Sequence, residues 1–161
     1  MGMIANFMQI GQAQLDALLD DPDGIDPAIH PPEGAPPDTI DVDKAWHGIH
    51  FLLTGSPWRG AEPLVNVVLG GVEIGEDVGY GPARYLTPDQ VRDVAAALSA
   101  IPSDLLGARF DPDAMIRADI YPEIWDEGDE ARNYLLGAYE RLRNHYLDAA
   151  RRGNAMLIFI D

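Results

Sequence analysis

Residues 155–160 read Ala-Met-Leu-Ile-Phe-Ile, six apolar side chains in succession close to the C-terminus. Such a run is too short for a helix of its own and long enough for a buried strand. Residues 2–10 are also short, apolar and aromatic-containing, and Gly11 follows them, so a second buried strand is expected at the other end. A strand at each terminus, with helical patterns between, predicts an α/β (α+β) domain. One mixed β-sheet would carry several packed helices, with the terminal strands as candidate neighbours. At 161 residues the chain has the size of a single domain, 1–161.

The helices announce themselves by period and punctuation. Leu15, Leu18 and Leu19 give residues 12–20 a short amphipathic face, stopped by the turn cluster Asp20-Asp21-Pro22-Asp23-Gly24. Residues 21–40 contain six of the thirteen prolines and five acids, and read as a long acidic Pro-rich loop. Asp41 and Asp43 are expected to open a helix over roughly 43–54, closed by Gly55, with Trp46, Ile49, His50 and Leu53 on its apolar stripe. Residues 64–69 are a short apolar stretch, and 72–86 alternate glycine with hydrophobic residues, as one or two short strands would. Thr87-Pro88-Asp89-Gln90 has the form of a capping box with proline at the first helical position. Ser103 and Asp111 are expected to cap two further short helices. Residues 129–152 hold the helical period longest, with Arg151 and Arg152 in the last turn and Gly153 as the stop.

Charge narrows the range of partners. The chain has 27 Asp and Glu against 11 Lys and Arg, a net charge of −16. Phosphate backbones and anionic membrane surfaces repel such a protein, so neither nucleic acid nor a membrane is expected as a partner. The first 43 residues carry nine acids and no Lys or Arg. There is no cysteine, which removes disulfides, thiolate metal sites and a cysteine nucleophile together. No targeting segment and no apolar run of membrane-spanning length is evident, and a cytoplasmic location is expected.

Few constellations suggest chemistry. Asp43, His47 and His50 stand at i, i+4 and i+7, a spacing that would put two imidazoles and a carboxylate on one helical face. His50 also belongs to the apolar stripe, which favours a core or cleft-wall position over a metal ligand, and His47 is expected in solvent. Asp21-Pro22-Asp23-Gly24-Ile25-Asp26 has its glycine too early for a calcium loop and Pro32 where the bidentate glutamate belongs. The glycines at 70–81 do not form a dinucleotide or phosphate loop, and Ser56 lacks a nucleophile elbow. No metal or cofactor is expected. Tyr80-Gly81-Pro82-Ala83-Arg84-Tyr85 places a guanidinium between two phenols, where it could hold a carboxylate or phosphate, or simply neutralise nearby acids. Tyr121-Pro122 and Trp125 form a second aromatic loop, expected to cap the core under the long helix.

Several of these blocks, in this order, resemble the YfbM-like family of small bacterial proteins, which carry a domain of unknown function. They are Met1-Gly2-Met3-Ile4, the helix Asp43-Lys44-x-Trp46-x-x-x-His50-x-x-x-Thr54-Gly55, the loop Tyr80 to Pro88, Tyr121-Pro122-x-x-Trp125, and Gly153-Asn154-Ala155. The resemblance spans essentially the whole chain. It implies a single mixed-sheet domain from a bacterial cytoplasm and brings no active site with it. Trp46, His50, Tyr80, Arg84, Tyr85 and Trp125 match the family pattern and are the candidates for a shared ligand cleft. His47, Asp26 and the 21–40 loop fall outside it.

Three readings follow. A non-enzymatic, acidic protein-binding module of immunity or inhibitory type would use Asp20, Asp21, Asp23 and Asp26 to meet a basic protein. A small-molecule or catalytic cleft would use the six family-matched residues. A third reading makes the acidity a matter of solubility, with charge spread evenly over the surface.

Overall fold

A computed structural model describes residues 2–161. Five strands form one sheet in the order β2-β1-β5-β4-β3: β1 (Ala5–Ile10), β2 (Thr39–Asp41), β3 (Val72–Asp77), β4 (Pro82–Leu86) and β5 (Ala155–Ile160). The two terminal strands are neighbours, with Phe7 opposite Ile158 and Ile10 opposite Ala155. All four strand pairings are antiparallel, so the sheet expected to be mixed has a single sense. Seven α-helices surround it: α1 (Gln12–Asp20), α2 (Ile25–Ile29), α3 (Trp46–Thr54), α4 (Pro88–Ser99), α5 (Ser103–Gly107), α6 (Pro112–Arg117) and α7 (Asp129–Arg152).

The central position of β5 explains why it has no polar residue. A strand's side chains alternate between faces, and here both faces are covered. Met156 and Ile158 join Phe7, Leu86 and the buried sides of α3, α4 and α7 in the larger core. Ala155, Leu157 and Phe159 join Met8, Ile10, Ala83 and the apolar sides of α1 and α2 in a smaller core on the opposite face. The sheet therefore separates a thick helical layer from a thin one.

Local signals account for most boundaries. Thr87 and Gln90 make both hydrogen bonds of a capping box at the start of α4. The Asp111 carboxylate accepts from the Ala114 N–H at the start of α6. Gly55 and Gly153 end α3 and α7 in the left-handed conformation. Ser103 is the first residue of α5 and makes no capping bond; Pro102 holds the cap position.

Two segments differ from expectation. The 21–40 stretch is not a loop throughout: it holds a 3-10 turn (Pro22–Gly24), α2 and the start of β2. Ile25 and Ile29, one helical turn apart, are buried in the smaller core and anchor α2. Helix α3 begins at Trp46, because Asp43 has φ +51° and cannot lie in a right-handed helix. The Asp43 carboxylate instead accepts from the Tyr134 hydroxyl at 2.6 Å, and that hydroxyl accepts from the Lys44 N–H.

Candidate functional site

Arg84 stands on β4 opposite Ile158, on the thick-layer face of the sheet. It lines a cleft of about 290 Å³ with Met3, Trp46, Trp58, Leu69, Tyr80 and Ile160. Trp46 reaches the cleft from the first turn of α3, its indole N–H donating to the Met3 carbonyl at 2.9 Å. Tyr80 arrives on the β3–β4 turn, which the Tyr80 N–H ties to the Ile160 carbonyl at 3.1 Å. Trp58 and Tyr80 leave 61 % and 51 % of their surface in solvent, so the aromatic walls are open.

Among the described residues Arg84 has one hydrogen bond, from Nη1 to the Gly70 carbonyl at 2.6 Å. Among the described residues no carboxylate lies within ion-pair distance of it. Burial pushes its pKa down, partly offset by the charge of Glu73.

The other family-matched residues lie elsewhere. Tyr85 cannot share the cleft with Arg84, because consecutive strand residues point to opposite faces; it packs against the smaller core. Trp125 is buried under α7 and donates its indole N–H to the Ile120 carbonyl at 2.8 Å, the core-capping role expected of that loop. Its ring packs so closely on Gly48 that a Cβ there would stand 2.8 Å from the ring edge. His50 is fully buried and does not line the cleft. Its Nε2–H donates to the Arg59 carbonyl at 3.1 Å, and its Nδ1 has no partner among the described residues. Burial lowers its pKa to about 4, and the charge of Arg84 is a smaller contribution in the same direction.

His47, expected in solvent, is buried. Its Nδ1 accepts the Tyr121 N–H at 2.8 Å, which leaves Nε2 to carry the proton and donate to the Pro57 carbonyl at 2.8 Å. Both nitrogens are thus used to join α3 to two loops, and desolvation holds the imidazole neutral by lowering its pKa. The ring lies between Trp46 and Trp58, with centroids 5.2 and 4.3 Å away. It is the tilted contact with His47 that places Trp58 as a cleft wall, although its Ser-Pro-Trp-Arg-Gly loop matches no motif. Asp43, His47 and His50 do not form a ligand set. Among the described residues no group of three or more His, Asp or Glu is placed to hold a metal ion.

A second feature lies across the sheet. The four aspartates singled out from the sequence, Asp20, Asp21, Asp23 and Asp26, are all exposed on the end of α1, the 3-10 turn and α2. The 3-10 turn packs beside β3, and a second cleft of about 280 Å³ runs between them. Asp23, Asp26, Glu76 and Asp77 supply its carboxylates. No Lys or Arg occurs in residues 1–43 or 60–83, which include α1, the 3-10 turn, α2 and β3. His30 borders these acids: its ring nitrogen is 3.1 Å from Asp26, and the hydrogen bond to that carboxylate raises its pKa.

Comparison with known proteins places this architecture. The sequence model of a domain of unknown function, DUF1877, matches residues 1–159. The chain belongs to the DUF1877 family. A solved DUF1877-like fold, the crystal structure of a protein of unknown function, YfbM from Escherichia coli, superposes with a TM-score of 0.74 at 23 % identity. The match covers 99 % of this chain and 100 % of that one. At that identity the likeness establishes the shared fold. No curated protein matches the chain. No helix among the described residues of this DUF1877 protein is long and apolar enough to cross a membrane.

Proposed function

We propose that this protein is a binding module that docks a basic protein on its acidic thin layer, in the manner of an inhibitor or immunity protein. The observation that carries the reading is an exposed acidic layer and cleft built from segments without Lys or Arg. Residues 12–29 and the end of β3 contribute seven carboxylates to the thin layer and its cleft, and no Lys or Arg. The cations lie outside those segments, five of them on α7 alone. A solubility device would spread its charge. A one-signed face instead raises the local concentration of an oppositely charged partner and speeds its encounter.

The four aspartates suit this role because they are free to change partners. Asp20, Asp21 and Asp23 make no ion pair among the described residues, and Asp26 meets only His30. Docking a lysine- or arginine-rich surface here breaks no strong internal bridge.

The test compares two variants of equal net charge. D20N/D21N/D23N/D26N neutralises the thin layer, while D93N/D104N/E130Q/E140Q neutralises exposed acids of the thick one. Each is used as bait in native lysate at low salt, and retained proteins are identified across a salt gradient. A basic protein held by wild type and the thick-layer variant, and lost from the thin-layer variant, is expected. Its association rate should fall about tenfold or more in the thin-layer variant, with the gap closing as salt rises. Equal losses in the two variants would show that net charge alone matters and would defeat the reading.

A further inference from the structure

Arg84 is half-buried beside three aromatic rings in a chain with more than twice as many acids as bases, yet it has no carboxylate partner among the described residues. A guanidinium withdrawn from water ordinarily regains the lost hydration through an anion or a full set of acceptors. Arg84 spends one of its five donors on the Gly70 carbonyl. That bond fixes one side of the planar fork and leaves the others without a described partner, in a residue that borders a cleft of about 290 Å³.

The rest of the lining is apolar: Met3, Trp46, Trp58, Leu69 and Ile160, with Tyr80 at the rim. Two aromatic walls hold large areas in solvent, Trp58 and Tyr80, which an apolar ligand body would cover. The rings are not free to collapse into the space. Trp46 is held by its bond to Met3, Trp58 packs on a buried His47, and Tyr80 is tied through its backbone to Ile160. A pre-formed hollow with apolar walls and one charged group that fixes orientation is the usual design of a small-ligand site, and this one is at the lower edge of the size range.

We propose that this cleft binds a small monocarboxylate with an aromatic or apolar body, the carboxylate paired with Arg84 and the body against Trp46, Trp58 and Tyr80. A planar carboxylate matches the free edge of the guanidinium in bidentate fashion. A phosphate dianion fits less well, because Arg84 is the one cation among the described residues lining the cleft and the protein as a whole carries −16. The site is independent of the acidic layer: it lies on the other face of the sheet and uses none of its residues.

The probes are phenylacetate, 3-phenylpropionate and indole-3-acetate, with 3-phenylpropionamide as the uncharged control. The indole N–H resonances of Trp46 and Trp58 are followed by two-dimensional NMR during titration. At least one acid is expected to give saturable shifts of both, and 3-phenylpropionamide to bind roughly tenfold or more weaker than its acid, the loss of one charge-assisted pair. R84K, which keeps the charge without the fork, should lose most of the preference for the acid over the amide. W58A changes an exposed wall and should weaken acid and amide alike, which keeps the test sound even where R84K perturbs folding. The proposal is overturned by an absence of saturable shifts from all three acids. It is equally overturned by acid and amide binding alike, or by W58A leaving binding unchanged.

Discussion

Replacing His50 by glutamine should change how the protein responds to acid, in a direction and by an amount that follow from its surroundings. Its Nε2–H donates to the Arg59 carbonyl, its Nδ1 has no partner among the described residues, and it is fully buried. Burial disfavours the imidazolium and lowers the pKa from 6.5 to about 4. In the unfolded chain the same ring takes up its proton near 6.5. Between those values the unfolded state holds more protons than the folded one, so stability increases with pH and is lost as pH falls through the window. The full cost, reached below the folded pKa, is about 3 kcal/mol, because each tenfold change in proton affinity between the two states is worth about 1.4 kcal/mol. At pH 4.5 most of it, about 2.5 kcal/mol, is already present. Glutamine places an amide N–H near the position of Nε2 and does not titrate. Urea unfolding of wild type and H50Q at pH 7.5, 6.0 and 4.5 separates this contribution from the carboxylates, which the two proteins share. The stability gap should move by about 2.5 kcal/mol in favour of H50Q between the extremes. Parallel curves for the two proteins would refute the claim that burial keeps His50 neutral.

Other substitutions test the packing that positions the site. In G48A the new methyl would stand 2.7 Å from Leu135 Cδ1 and 2.8 Å from the Trp125 ring. We expect a net loss of about 1–2 kcal/mol in denaturant unfolding, despite alanine's better helix propensity, and a stabilised variant would contradict the close approach. T87A removes the side chain that accepts the Gln90 N–H and should cost about 1 kcal/mol, while T87S should be close to neutral. Equal losses for T87A and T87S would deny the capping bond its role.

The elements legible in the sequence are those whose signals are local. The apolar run of β5, the capping box at Thr87 and the stop at Gly153 depend on a few neighbouring residues, and each is where the pattern places it. Strand direction is not a local property, and the antiparallel sense appears only with the pairing of β4 and β1 on either side of β5. The short helix α2 is hidden among prolines, although Ile25 and Ile29 carry the one-turn spacing that marks it. His47 departs from expectation for a different reason. Helix α3 is buried on nearly all sides, so a single apolar stripe does not separate its inner from its outer residues.

The site is partly legible in the same way. Trp46, Tyr80 and Arg84 converge on one cleft, while the two-residue period of β4 sends Tyr85 to the opposite face. Trp58 carries no sequence signal beyond being an aromatic residue in a Ser-Pro-Trp-Arg-Gly loop, and only the contact with His47 shows its place. The acidic N-terminal quarter is plain from composition. That β3 adds Glu76 and Asp77 to the same cleft depends on tertiary packing.

The central claim is that the acidic thin layer, which has no Lys or Arg, serves docking. Titrating isotope-labelled protein with a short lysine- and arginine-rich peptide, and following every backbone amide, tests it most directly. The account predicts salt-sensitive shifts confined to residues 20–30 and 73–78. Shifts scattered equally over α4, α6 and α7 would contradict it.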